Sequence, residues 1–208
     1  MSEQAAGGRE VWALILAGGA SKRMGEPKLL LPAPQGNLLR QTAHQALTAG
    51  NVRVAVIAAE DGPLRPEHLS GLPVEWLETA ASRSGLGASL AAGVRHLEER
   101  HVPPAIMILL GDQPEISPEA IRQVADTYSR TRARIVQARY EDRPAHPVLF
   151  AASLFPELTA LTGDVGAMEL LQKYKEHTVW VKIHGPAPCD IDTPEEYERY
   201  KRAALSKS

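Results

Sequence analysis

A single cysteine, Cys189, stands in the 208-residue chain, so no intrachain disulfide can form and no cysteine-based zinc site can be built. A reducing, cytoplasmic setting suits such a composition. An excess of positive charge is lacking too: 23 Lys and Arg against 25 Asp and Glu leave a formal charge of -2. That balance lacks the basic field from which non-specific nucleic-acid affinity comes, and no nucleic-acid partner is expected. Long apolar runs are missing too. The longest, around Val11 to Ala17 and Ala105 to Leu110, fall far short of the roughly 20 residues that cross a bilayer, so no membrane span is expected. The opening MSEQAAGGRE carries no apolar stretch of the secretory kind and reads as a flexible tail over residues 1–10. Residues 11–205 are read as one domain, since a chain of this length with 44% apolar residues can bury a sizeable core.

What the sequence does contain is an alternation of short apolar blocks and amphipathic stretches. Val11 to Leu16 ends at Gly18-Gly19, the way a strand buried on both faces runs into a loop. A helix is predicted from about Asn37 to Ala49 with Gly50 as its stop, then a strand over Val52 to Ala58. Leu90, Val94 and Leu97 share a helical face between Ser89 and Arg100, and Ala105 to Leu110 has the pattern of a central strand. Ser117-Pro118 reads as an N-cap followed by proline at the first helical position. Further strands are predicted at 135–138 and 148–150, and helices at 165–175 and 195–205, the last opened by the capping box Thr193-Pro194-Glu195-Glu196. Strands and helices in this order predict an α/β fold of three layers, a largely parallel Rossmann-like sheet with helices on both faces.

Residues 16–32 read Leu-Ala-Gly-Gly-Ala-Ser-Lys-Arg-Met-Gly-Glu-Pro-Lys-Leu-Leu-Leu-Pro. Bare glycine amides allow phosphate oxygens to approach the main chain, and Lys22, Arg23 and Lys28 can neutralise charge that builds during phosphoryl transfer. The spacing is neither that of a Walker A loop nor that of a Rossmann dinucleotide turn. A second small-residue string, Ser84-Gly85-Leu86-Gly87-Ala88-Ser89, runs into a helix start, where free amides favour anions and polar base edges. Asp112 stands just beyond the Ala105 to Leu110 strand, where open α/β sheets place ligand-binding groups. Magnesium commonly takes one or two carboxylates together with substrate phosphates, and Asp112 and Asp192 meet that need. Each also has a local reading: Asp112 precedes a turn, and Asp192 precedes the Thr193 cap with Asp190 two residues away on the same strand face.

The first of these strings resembles the signature of the MobA-like NTP transferases, in particular their cytidylyltransferase branch. The likeness recurs at Ser84 to Leu90, Gly111-Asp112-Gln113-Pro114, Ala145-His146-Pro147-Val148-Leu149-Phe150, Gly163-Asp164-Val165-Gly166-Ala167 and Asp190-Ile191-Asp192-Thr193-Pro194. It implies the fold of the nucleotide-diphospho-sugar transferases. It implies that Leu16, Ala17, Gly18, Gly19, Ser84, Gly85, Gly87 and Ser89 contact the nucleotide, that Arg23 lines the phosphates and that Lys28 reaches the triphosphate. Asp112 and Asp192 become ligands of Mg2+, with Asp190 in reserve. His146 lies in a Gly-His-Pro-like segment on the acceptor side, although Ala145 stands where the family has glycine.

The activity so implied is transfer of CMP from CTP to the terminal phosphate of molybdenum-bearing molybdopterin, with loss of pyrophosphate and a molybdenum hydroxylase as downstream partner. A phosphate acceptor is already anionic, so positioning and charge neutralisation carry such a reaction and no Ser/His/Asp or Cys/His set is required. Two rivals stand beside it. One is guanylyl transfer, or another MobA-like reaction, favoured by the Ala17-Gly18-Gly19 form of the first loop. The other is a non-catalytic cofactor-binding chaperone for molybdenum hydroxylases, against which Lys28, Asp112 and Asp192 together weigh.

Overall fold

The computed structural model describes residues 10–18, 24–164 and 166–205. Residues 1–9 of the tail expected over 1–10, and Gly19, Lys22 and Arg23 of the first loop, lie outside the described residues.

In chain order the elements are strand β1 (Val11–Leu16), the hairpin strands β2 (Pro32–Ala33) and β3 (Gly36–Asn37), helix α1 (Leu38–Ala49), β4 (Val52–Ala59) and β5 (Val74–Thr79). Helix α2 (Leu86–His101), β6 (Ala105–Leu110), α3 (Pro118–Thr131), β7 (Ile135–Arg139) and β8 (Pro144–Ala151) come next. The short helices α4 (Phe155–Thr159) and α5 (Met168–Lys173), strand β9 (Thr178–Lys182) and helix α6 (Pro194–Leu205) complete the series. Seven strands form one sheet in the order β5-β4-β1-β6-β8-β7-β9. All run parallel except β8, which pairs antiparallel with β6 and β7. The expected α/β architecture with a largely parallel sheet is the one observed.

Period-two geometry divides the sheet residues between two cores. Val11, Ala13 and Ile15 join Leu39, Ala43, Ile121 and Val124 of α1 and α3 on one face. Trp12, Leu14 and Leu16 join Leu90, Val94, Leu97 and Phe155 of α2 and α4 on the other. Strands buried on both sides have no polar face to alternate with, which is why β1 and β6 read as continuous apolar runs. Local chemistry sets the helix ends. Asn37 Oδ1 accepts the Arg40 amide at 2.8 Å, Ser117 Oγ accepts from Glu119 and Ala120, and Gly50 closes α1 at φ 80°.

Several elements differ from their predicted bounds. Helix α2 begins at Leu86 rather than Ser89, and α5 covers only 168–173 of the predicted 165–175. Strands β5 and β9 were not predicted. They are the two sheet edges, where half-exposed sequences such as VEWLET and TVWVK mix charge into the apolar pattern.

The topology decides where a ligand can sit. From β1 the chain moves outward through β4 to β5, then returns to add β6 on the other side of β1. The carboxyl ends of β1 and β6 are thus neighbours at the reversal of strand order, the crevice in which open α/β sheets bind ligands.

Candidate active site

Two carboxylates and one ammonium meet at that crevice. Lys28, in a short 3-10 turn, places its Nζ 2.6 Å from Asp112 Oδ2 and 2.6 Å from Asp192 Oδ1. The three come from distant parts of the chain, and the backbone explains their meeting. Gly111 N–H donates to the Leu16 carbonyl at 3.0 Å, tying the exit of β6 to the end of β1. Ile191 N–H donates to the Asp112 carbonyl at 3.0 Å, tying the segment before α6 to the same place.

The rival local role of Asp192 falls to its neighbours. Thr193 Oγ1 accepts the Glu196 amide at 3.2 Å, and Glu196 Oε2 accepts the amides of Asp192 and Thr193 at 2.8 and 2.9 Å. The capping box is complete without the Asp192 carboxylate, which turns to Lys28 instead. Asp190, expected on the same strand face, belongs to no strand; its Oδ1 accepts from Gln113 Nε2 at 2.7 Å on the side of His146.

Electrostatics at the centre are set by burial against pairing. Burial pushes the Asp112 carboxyl above its ordinary range, with Lys28 opposing. Burial alone would depress the Lys28 ammonium, yet Asp112 and Asp192 together hold it above its usual value, so it stays charged. Asp112 Oδ1 is buried without a hydrogen-bond partner among the described residues. An uncompensated buried carboxylate oxygen is costly, and hard divalent cations satisfy such oxygens well. The donor set, two carboxylates sharing one ammonium, therefore fits a magnesium-like ion. It fits a bare triphosphate poorly, because like charges would face each other.

Cavities flank the centre on both sides. One of about 250 Å³ is lined by Ala17, Leu29, Ala59, Leu64, Ser82 and Arg83, among others. A second of about 330 Å³ reaches from Leu16 and Leu90 to Gln113, Gln137, His146 and Asp190. Leu16 and Ala17, adjacent in sequence, thus open to different cavities.

The glycine strings are positioned in different ways. At Gly18 an added Cβ would meet only Ser89 Oγ, at 3.5 Å, so the packing of described residues does not demand glycine there. Gly85 has φ 106° and an added Cβ would lie 2.3 Å from Asp164 Oδ1 and 2.5 Å from the Gly163 backbone. Gly87 donates its amide to the Gly163 carbonyl at 2.8 Å, so that donor is already engaged; Ser89 Oγ donates to the Gly85 carbonyl at 3.3 Å, and Ser84 is exposed. The strings at 84–89 and 163–166 interlock as one structural unit. Of the expected nucleotide contacts here, Ser84 remains the side chain open to solvent.

His146 lines the second cavity, and burial drives its imidazole down to about 4 against the pull of Asp190. It is neutral near pH 7. Ala145 is not among the residues with positive φ, so alanine adopts this backbone without strain. Two residues of this cavity carried no assigned role in the sequence reading. Gln113 was visible in Gly-Asp-Gln-Pro, and Gln137 could have been noticed as a lone amide inside the apolar strand Ile135-Val136-Gln137-Ala138.

Fold and site together define an α/β nucleotidyltransferase: a largely parallel sheet whose switch-point crevice holds paired carboxylates and a lysine between two cavities. The chain belongs to the MobA-like NTP transferase domain family, whose model matches residues 13–179. It is 30% identical to the purine catabolism protein PucB of Bacillus subtilis over 91% of this chain and 95% of that protein. It is 22% identical to the molybdenum cofactor cytidylyltransferase of Escherichia coli over 90% and 95% of the respective chains. Among solved structures, Rv0371c of Mycobacterium tuberculosis matches with a TM-score of 0.81 at 26% identity, covering 93% of this chain and 98% of that one. A manganese complex of the same protein matches at 0.74 and 27%, covering 91% and 97%. Among the described residues no helix is long and apolar enough to cross a membrane.

Proposed function

We propose that this protein is a cytidylyltransferase that moves CMP from CTP onto the terminal phosphate of a molybdopterin-type acceptor carrying molybdenum. The observation that carries the reading is the convergence of Asp112 and Asp192 on Lys28 between two cavities, with Asp112 Oδ1 left unpartnered. In this reading the cavity at Ala17 and Leu29 takes the nucleoside and the cavity at His146 takes the acceptor. An acceptor phosphate oxygen attacks the α-phosphorus in line. The new O–P bond forms as the bond to the β-phosphate oxygen breaks, and pyrophosphate leaves with the electron pair. No proton has to be removed from an acceptor that is already anionic, which agrees with a neutral His146.

Lys28 exchanges carboxylate partners for phosphate oxygens, and its charge opposes the build-up on the leaving pyrophosphate. Arg23 joins it there. Asp112 and Asp192 would hold Mg2+, which would supply charge neutralisation for the triphosphate. Leu16, Ala17, Gly18, Gly19 and Ser84 approach the nucleotide, while Gly85, Gly87 and Ser89 shape the turn behind it. The product would pass to a molybdenum hydroxylase.

A second reading, guanylyl transfer, is favoured by Gly18, because alanine would fit its place and glycine leaves extra room. Pyrophosphate release with CTP and GTP in competition, at fixed magnesium and acceptor, separates the two. A higher kcat/KM with CTP supports cytidylyl transfer, whereas a higher value with GTP replaces it by the guanylyl reaction. Release with neither nucleotide, across candidate acceptors, would leave a cofactor-binding chaperone.

A further inference from the structure

Helix α1 touches all three segments that bring a charged group to the centre. Leu38 N–H donates to the Leu31 carbonyl at 3.0 Å, three residues beyond Lys28. The Leu38 side chain shares a buried cluster with Leu31, Tyr200 and Ile191, the residue before Asp192. Leu39 lies against Gly111, the residue before Asp112, with Cδ1 3.2 Å from where a Cβ would stand. Apolar packing of this kind is not directional. Thr42 adds the direction. It is fully buried, and its hydroxyl lies 3.2 Å from the Leu38 carbonyl and 3.1 Å from the Gly111 carbonyl, 69 residues away. The first of these is the usual back-bond of a helical threonine, which Thr48 and Thr131 make at 2.8 Å. At Thr42 it is longer, and the single hydroxyl hydrogen is shared with Gly111. A valine of nearly the same shape would fill the core without burying a hydroxyl, so the bond to Gly111 is what the threonine adds.

That bond bears on Asp112. Gly111 N–H is held by the Leu16 carbonyl at 3.0 Å, Gly111 C=O by Thr42, and Asp112 C=O by Ile191 N–H at 3.0 Å. Peptide groups are planar, so anchoring those on both sides of the Asp112 Cα sets the direction in which its side chain leaves the backbone. We infer that Thr42 is a positioning residue of the centre: its hydroxyl holds the Gly111 carbonyl and thereby aims the Asp112 carboxylate, whose Oδ1 has no partner among the described residues, for a divalent cation. The inference rests on the reading of Asp112 as a metal ligand. Thr42 itself touches neither carboxylate nor ligand; it acts through the main chain. A group that orients a metal ligand in this way governs affinity for the ion nearly as strongly as the ligand does.

Mn2+ alone, titrated into the full chain and followed by electron paramagnetic resonance, is the probe. Thr42→Val keeps the shape and loses the hydroxyl, whereas Thr42→Ser keeps the hydroxyl and loses a methyl group. Thr42→Val is expected to bind Mn2+ roughly tenfold more weakly, and Thr42→Ser to match the parent chain although it too melts lower. The Ile191 amide, followed by hydrogen exchange without metal, is expected to exchange faster in Thr42→Val than in the parent or Thr42→Ser. In CMP transfer Thr42→Val is expected to lose kcat and to keep its KM for CTP. A role confined to stability would weaken both variants alike. Parent-like Mn2+ affinity or Ile191 exchange in Thr42→Val, equal weakening in Thr42→Ser, or no Mn2+ binding by the parent overturns the inference. Its fate is separable from that of the cytidylyl reading. Hydroxyl-dependent Mn2+ binding without CMP transfer sinks the transfer reaction alone. CMP transfer with the same Mn2+ affinity in the parent and Thr42→Val sinks this inference alone.

Discussion

Asp112 and Asp192 reach Lys28 at equal distances but from unequal surroundings, with side chains 20% and 37% exposed. If they hold the metal that neutralises the triphosphate, replacing either carboxylate by its amide removes an anionic donor at nearly constant volume. Asp112→Asn and Asp192→Asn are each expected to lower turnover on the order of a hundredfold or more, with circular dichroism and melting little changed. Wild-type rates in both variants would remove the metal assignment.

His146 gives a different signal at the same scale. Its folded-state value of about 4 lies below its ordinary value of 6.5, so between those limits the unfolded chain binds the extra proton. Its contribution to stability is therefore intact above pH 6.5 and is lost as pH falls toward 4, by at most about 3 kcal/mol. Melting temperature followed from pH 7 to pH 4 is expected to fall less in His146→Gln than in the parent chain. Parallel curves would refute the burial account.

The element that joins the 84–89 string to the scaffold is the start of α2. Gly85 caps it in a backbone region reserved almost wholly for glycine, and the space for a side chain is filled by Gly163 and Asp164. Gly85→Ala should therefore displace the 161–167 loop and reduce stability by about 2 kcal/mol or more, read as a lower denaturation midpoint. An unchanged midpoint would show that the two loops separate freely. The sequence marked both strings as unusual through their small residues, yet nothing in either string named the other as its partner. Seventy-odd residues lie between them, and only the packing of α2 and α5 on a common sheet face brings them together.

Across the whole molecule, the apolar cores on the two sheet faces hold the fold, and the carboxylate centre sits at their rim. Chelation is accordingly expected to abolish turnover while leaving the melting temperature within a few degrees, and added Mg2+ is expected to restore the rate. Unfolding on chelation would make the ion structural. The same separation of core and rim explains what could be read in advance. Strands β1, β4 and β6 are buried on both faces and announce themselves as apolar runs, whereas the edges β5 and β9 carry only half of that signal.

The sequence by itself determined the central strands β1, β4 and β6, the helices between and after them, the stop at Gly50 and the caps at Ser117 and Thr193. These follow from periodicity and local hydrogen bonding, which act over a few residues. Tertiary structure alone decided which carboxylates converge. Asp112 and Asp192 meet at Lys28, and Asp190 turns to Gln113 and the second cavity, once the hydrogen bond from Ile191 N–H to the Asp112 carbonyl has tied the two segments together. Burial, the cause of the shifts at Asp112 and His146, is likewise a property of the packed chain, for no residue can carry it before the sheet and its helices close around it.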